Sequence, residues 1–346
     1  MRSTFRKGVA AVIGAAALSV ILSSTAVADS GVLADANDAV GVGSDTTEYA
    51  LNALAAAYNP TVPAGGVLVH SFNATVPAAG QPVLPTDTGA TIVPRSGATA
   101  ITRPNGSSAG ITELKRAGTA TTFARSSRAR QASDNTGTAV LFLPYATDGL
   151  RYARSTSPAS NAPVDLTNAE LKKIYECNAD GNPATPDLWS NVRAGLPAVT
   201  ILPVLPQSGS GTRSFFLTEI GVTSVGSCVN QTAQEHDPAA VAGNANKIAP
   251  FSTGRYSILP PAQQSTIVLN TGGFTATRSL FNVVRDVNGG GVLNKGVDAG
   301  LHRFFGDGTG GLATATNNWI CSSAATSVIA AQGFTQLSGT ACGKVA

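Results

Sequence analysis

The chain has 346 residues, 12% of them charged and 43% apolar, with 37 Gly, 19 Pro and a formal net charge of +3. This length exceeds the roughly 250–300 residues that one hydrophobic core fills, so two domains are expected. The low charged fraction excludes a disordered polyelectrolyte and a coiled coil, and the Gly and Pro content marks a chain of turns and short elements.

Three of the positive charges, Arg2, Arg6 and Lys7, precede an apolar run over 8–22 and then Ala26-Val27-Ala28. A basic start, a short apolar stretch and a small-x-small site together read as a secretory signal peptide over 1–28, cleaved after Ala28, so a secreted, extracellular protein is expected. The run falls short of the ~20 residues that span a bilayer, so no transmembrane segment is expected. No Cys follows it to carry a lipid anchor. Loss of this segment removes only basic charges and leaves the exported chain formally neutral. General nucleic-acid and membrane-surface binders carry a basic excess, so these partners are not expected. Any charge-based function must be local.

In chain order, a strand over 39–43 runs into the polar turn Ser44-Asp45-Thr46-Thr47. Tyr49, Leu51, Leu54, Ala55 and Tyr58 then keep helical spacing. The pattern recurs at Asn105-Gly106-Ser107-Ser108-Ala109-Gly110 before Ile111, and again where the apolar run 199–205 meets Gln207-Ser208-Gly209-Ser210-Gly211-Thr212-Arg213. Each junction exposes backbone N–H groups at a helix start beside hydroxyl donors, with Gly allowing close approach, which suits an oxyanion. The same residues are also ordinary N-caps and turn formers. Between the second and third junctions Lys115, Arg116, Arg125, Arg128 and Arg130 form the main basic cluster, readable as an anion site or as a solvated loop. The run 139–144 reads as a buried strand, and Asp165 to Leu171 as a capped helix start.

Four cysteines, Cys177, Cys228, Cys321 and Cys342, sit in a chain expected to be exported and oxidised. They allow three pairings. The shortest-loop choice, Cys177–Cys228 with Cys321–Cys342, would stabilise by about 3–4 kcal/mol per bridge. His70, His236 and His302 are scattered and no CxxC occurs, so no zinc or other metal site is expected. Asn178, Asp180 and Asn182 lack the closing Glu of a calcium loop and read as a surface turn.

Taken together, the GSDTT turn at 43–47, GSSAGI at 106–111, LTNAELKKIYECN at 166–178, SGSGTRSFF at 208–216 and IAPFSTGRY at 248–256 resemble the class II periplasmic-binding-protein fold. The resemblance is specifically to the phosphate-binding proteins of ABC-type phosphate uptake, and it covers most of 38–340. It implies an α/β fold of two lobes, each a mixed sheet flanked by helices, joined by two crossover hinge strands. Lobe I would comprise 29–143 and a return segment 253–346, and lobe II 144–252. The implied function is binding of a tetrahedral oxyanion, phosphate first, in the interlobe cleft, for delivery to an ABC permease. The implied protein is a monomer with no cofactor and no catalytic residue.

Carried onto this sequence, the resemblance gives Thr47 as the first-loop hydroxyl, Ser107 as the second-loop serine, and Ser210, Gly211 and Thr212 as the opposite anion loop. Two departures stand out: Ser127 occupies the place of a carboxylate that accepts the proton of hydrogen phosphate, and Pro206 that of an arginine. Loss of the carboxylate would relax discrimination against fully ionised oxyanions. Arg125, Arg128 or Arg213 would have to supply the guanidinium fork. Tyr145, Asp148 and Arg151 near the first crossover, and Ser252 and Arg255 near the return, are further cleft candidates.

Two other function classes remain in view: an exported surface protein that keeps the fold without transport, and a hydrolase. Against the hydrolase, Gly-x-Ser-x-Gly fails at Ser208, and His236 beside Asp237 is a sequence-adjacent pair, a poor basis for catalytic geometry. Walker A and dinucleotide fingerprints are absent.

Overall fold

The computed structural model describes residues 29, 32–76, 89–183, 187–287, 289–293, 299–310, 314 and 317–346. The signal peptide expected over 1–28 lies outside the described residues. In chain order come β1 (Ala39–Gly43), α1 (Glu48–Tyr58), β2 (Val69–Ser71), β3 (Thr91–Ile92), β4 (Ile101–Thr102), α2 (Ser107–Lys115), β5 (Phe123–Ser126) and β6 (Val140–Ser155). There follow α3 (Asn168–Tyr175), α4 (Trp189–Val192), β7 (Leu202–Pro206), α5 (Gly211–Glu219), β8 (Asn230–Ala233) and β9 (Lys247–Ser252). The last set is α6 (Thr253–Ser257), α7 (Pro261–Gln264), β10 (Ile267–Leu269), β11 (Ala276–Arg285), α8 (Ala299–Phe305), α9 (Ser323–Ala331) and β12 (Thr335–Gln336).

Ten of these strands form one mixed sheet, ordered β2-β1-β5-β11-β6-β9-β7-β8, with β10 and β12 also on β6. β1 pairs in parallel with β2 and β5, and β7 with β8 and β9. The antiparallel strands β11 and β6 join these two parallel sets. Parallel strands covered on both faces are apolar throughout, and β1, AVGVG, is buried at every residue.

The apolar run expected to end at 144 continues as one strand of 16 residues to Ser155. Its first half gives Leu141, Leu143, Tyr145 and Ala146 to a core with Leu51, Leu54, Tyr58, Phe304 and Trp319. Its second half gives Leu150 and Tyr152 to a separate core with Leu171, Tyr175, Trp189 and Phe216. Burying each such side chain contributes about 1.5–3 kcal/mol. Two lobes therefore share continuous strands, and the crossover itself is part of the sheet.

Local signals act where they were legible. Thr167 caps α3 in a reciprocal box with Glu170, each side chain meeting the other's backbone N–H. The disulfides are Cys177–Cys228 and Cys321–Cys342, the short-loop pairing. The basic segment around Arg125 is not a solvated loop: β5 is an interior strand between β1 and β11, with Phe123 and Ala124 in the core.

Candidate functional site

Three helices of eight or more residues begin near one another. The turn 44–47 leads into α1, Gly106 into α2 and Ser210 into α5. Gly106 sits at φ +99°, a conformation open to glycine, and a Cβ there would meet Gly209 O at 2.6 Å. A Cβ on Gly211 would meet Ser107 Oγ at 2.3 Å and Ser127 Oγ at 2.4 Å. The Gly209–Gly211 loop of the second lobe thus lies directly against the serines of the first.

The hydroxyls meet in a buried cluster. Thr46 Oγ1 lies 3.1 Å from Ser127 Oγ and 3.3 Å from Thr212 Oγ1. Ser44 Oγ is 3.2 Å from Ser127 Oγ, and the Ser127 N–H donates to Ser107 Oγ at 3.0 Å. Ser107, Ser127, Gly211 and Thr212 are therefore brought together. Thr46 takes the place expected for Thr47, whose buried hydroxyl turns away from the cluster to Tyr145. Ser210 spends its hydroxyl on the Arg213 N–H as the N-cap of α5.

The guanidinium in the cluster belongs to Arg278, which the sequence reading did not single out. Arg278 faces Asp148 across the β11–β6 ladder, and its Nη2 donates to Asp148 Oδ2 at 2.8 Å. Its Nη1 donates to Thr212 Oγ1 at 2.8 Å, and Nη2 reaches Thr46 Oγ1 at 3.3 Å. The three arginines expected for this role are engaged elsewhere. Arg125 donates to Ser71 Oγ and to the carbonyls of Gly43 and Ser44, and burial lowers its pKa to about 10. Arg128 forks onto Asp134, and Arg213 bonds Pro206 O and Gln231.

A carboxylate occupies the centre of the cluster. Thr46 and Thr212 both donate to Glu235 Oε1, at 2.8 and 2.5 Å. His236 Nδ1 accepts the Ser252 N–H at 3.3 Å, which puts the ring hydrogen on Nε2, 3.3 Å from the same Glu235 oxygen. Burial alone would push the Glu235 carboxyl up. Hydrogen bonds from His236 and Thr212 and the charge of Arg278 outweigh it and hold the group well below the usual carboxylate range. Burial lowers the pKa of His236.

Arg255 closes the side of the site. Its Nη2 lies 3.3 Å from Glu48 Oε1 and 3.9 Å from Asp45 Oδ1, and its guanidinium stacks on Tyr49 at 4.1 Å. Asp45 is pushed well above its usual pKa by burial and by Glu48, which Arg255 only partly offsets. Asp148 also accepts from Ser252 Oγ at 2.7 Å, tying β6 to the end of β9.

The acid partner of His236 is Glu235, and not Asp237, which caps Ala239 instead. This is not a catalytic triad. A triad acid bonds the imidazole nitrogen opposite the nucleophile, leaving that other nitrogen to accept a proton. Here the carboxylate and both threonines crowd Nε2, which carries the hydrogen. Among the described residues no group of His, Cys, Asp and Glu could hold a metal ion, and no helix is long and apolar enough to cross a membrane.

Two lobes sharing a mixed sheet, with helix N-termini of both facing a buried polar cluster, define the fold of the periplasmic-binding-protein class. A family model described as a PBP superfamily domain matches residues 87–260, half of the chain, and the chain belongs to that family. Among solved structures it is similar to an ABC-type phosphate transport receptor from Vibrio cholerae: 17% identity, 86% of this chain and 99% of that one covered, TM-score 0.53. It is also similar to a protein from Clostridium perfringens described as a phosphate ABC transporter substrate-binding protein with bound phosphate: 16% identity, 87% and 100% covered, TM-score 0.57. At these identities the likeness is one of fold. A search of curated proteins returns no match.

Proposed function

We propose that this protein is an exported solute-binding protein that takes a small tetrahedral oxyanion, phosphate first, between its lobes and delivers it to an ABC permease. The observation that carries this reading is the pair of threonine hydroxyls, Thr46 before α1 and Thr212 in the first turn of α5, donating to one anionic oxygen while both accept from Arg278. Glu235 Oε1 marks where an oxygen of the solute would sit. Ser107, Ser127 and the backbone N–H groups at the starts of α2 and α5 would serve its other oxygens.

The magnitudes suffice. A micromolar complex needs about −8 kcal/mol, and hydrogen bonds to a charged group contribute about 1.5–3 kcal/mol each. Four or five of them, less desolvation and closure costs, reach that value without any catalytic group.

In this reading β6 and β11, the antiparallel strands that join the two parallel sets, are the hinges. Lobe I comprises 29–143 and the chain after β11, and lobe II runs from 144 through Phe274 rather than ending at 252, because Ile267 and Phe274 pack in its cores. Titration calorimetry of the purified protein with phosphate, sulfate and molybdate at pH 5–8 tests it. Saturable binding of one anion per chain is expected. An exported surface protein that keeps the fold without transport would give no heat with any of them.

A further inference from the structure

The segment Gln234-Glu235-His236, between β8 and β9 of the second lobe, makes side-chain contacts to the first. Gln234 accepts from Asn105 Nδ2 at 2.9 Å and donates to Asp45 Oδ2 at 3.1 Å. Glu235 takes the Thr46 hydroxyl, and His236 adopts φ +58°, a left-handed conformation uncommon for a residue with a side chain. Strained backbone of this kind persists where surrounding contacts over-determine it, and it clusters at ligand clamps.

The use of the Glu235 carboxylate is one-sided. Oε1 has Thr46, Thr212 and His236 around it, while the buried Oε2 has no hydrogen-bond partner among the described residues. An unpartnered buried carboxylate oxygen is costly, a cost set against the contacts of its other oxygen. Glu235 delivers a single oxygen into a donor set, as a ligand would. Each threonine hydroxyl has one hydrogen, and both hydrogens are committed to Oε1. A solute oxygen therefore cannot be added to the set. It must replace Oε1.

We propose that Glu235 is a built-in competitor, an internal ligand that occupies the oxyanion position and clasps the lobes together until a solute displaces it. This deepens the oxyanion reading and rests on it for the identity of the displacing solute. Apparent affinity is reduced by the fraction of molecules whose site is self-occupied. The contacts that accompany the clasp, Ser108 N–H to Gly209 O at 3.1 Å and Gln207 Nε2 to Asn105 Oδ1 at 3.0 Å, join the same two loops.

Two measurements on the full-length protein and its Glu235→Ala and Glu235→Gln variants test this: titration calorimetry with phosphate and with sulfate, and the radius of gyration from small-angle scattering without solute. Glu235→Gln keeps the packing if Glu235→Ala folds poorly. The expected result is that both variants bind phosphate and sulfate more tightly than wild type, by about tenfold or more for Glu235→Ala. The solute-free Glu235→Ala protein is expected to be more expanded than wild type and to contract on adding phosphate. Equal affinities and equal radii across the three proteins would overturn the proposal. Weakened phosphate binding with sulfate unchanged would overturn it too, since Glu235 would then be an acceptor for a proton on the solute. Expansion of the variants with no anion bound by any protein would support the clasp and remove the oxyanion reading.

Discussion

Thr46 Oγ1 and Thr212 Oγ1 lie 3.3 Å apart, although 166 positions separate them in sequence. They come from the two lobes and share one acceptor, Glu235 Oε1, and one donor, Arg278.

Removing either hydroxyl should therefore weaken anion binding, while removing that of Thr47 should not. Loss of one hydrogen bond to a charged group, about 1.5–3 kcal/mol, corresponds to about 10- to 150-fold in Kd for Thr46→Val and Thr212→Val in the Glu235→Ala background, and to less in wild type, where Glu235 loses the same bond. Thr47→Val is expected to stay within about threefold. Calorimetric titration with phosphate checks all three, and an effect confined to Thr47→Val would contradict the placement.

Arg278 and Asp148 are cross-strand partners buried in the ladder that joins the lobes. Arg278→Ala leaves a buried carboxylate without its counter-ion and should cost about 3–5 kcal/mol. Adding Asp148→Ala should recover part of the loss, because the uncompensated charge is gone. Urea unfolding of the single and double variants measures this coupling.

Asp45 gives a prediction with a definite sign. Burial and the Glu48 and Glu235 carboxylates raise its folded pKa, so it binds protons more readily folded than unfolded. Below the unfolded value, about 3.9, the group is protonated in both states and costs nothing. Its cost grows as pH rises through the raised folded value. Asp45→Asn should accordingly stabilise the protein near pH 7, with the gain fading towards pH 4. Unfolding midpoints at pH 4, 5.5 and 7 test this, and a gain that does not change with pH would count against it.

Gly211→Ala introduces a methyl into the space of Ser107 Oγ and Ser127 Oγ. The second-lobe anion loop must then retreat from the first lobe. The variant should fold with near wild-type circular dichroism, show a larger radius of gyration by small-angle scattering, and bind anions at least about tenfold more weakly.

The bridges differ in the loop they close: Cys177–Cys228 spans 51 positions and Cys321–Cys342 spans 21. Loop entropy assigns about 4 kcal/mol to the first and about 3 kcal/mol to the second. Paired Cys→Ser variants should lose stability in that order in denaturant unfolding.

Local chemistry made much of this legible in the sequence. The hydroxyl and glycine turns before α1, α2 and α5 stand between apolar runs, and the Thr167–Glu170 box marks α3 within four residues. What local reading missed depends on contacts across the chain. Arg278 resembles any polar residue on a strand until β11 is set against β6, 130 positions away. Thr46 and Thr47 are identical neighbours, and only the entry of the chain into α1 decides which faces the cleft. Glu235 sits in a polar Thr-Ala-Gln-Glu-His stretch that looks like an exposed loop. Its burial comes from Thr46 of the opposite lobe together with Thr212 and His236 of its own. Glu235 and His236 are adjacent in sequence, and both are buried where His236 takes its uncommon left-handed backbone.

The most direct test locates a bound oxyanion. Crystals of the protein and of Glu235→Ala grown with molybdate should give one anomalous molybdenum peak within hydrogen-bonding reach of the Thr46, Ser127 and Thr212 hydroxyls. A peak elsewhere, or none at molybdate concentrations well above any Kd found by titration, would contradict an oxyanion site between the lobes.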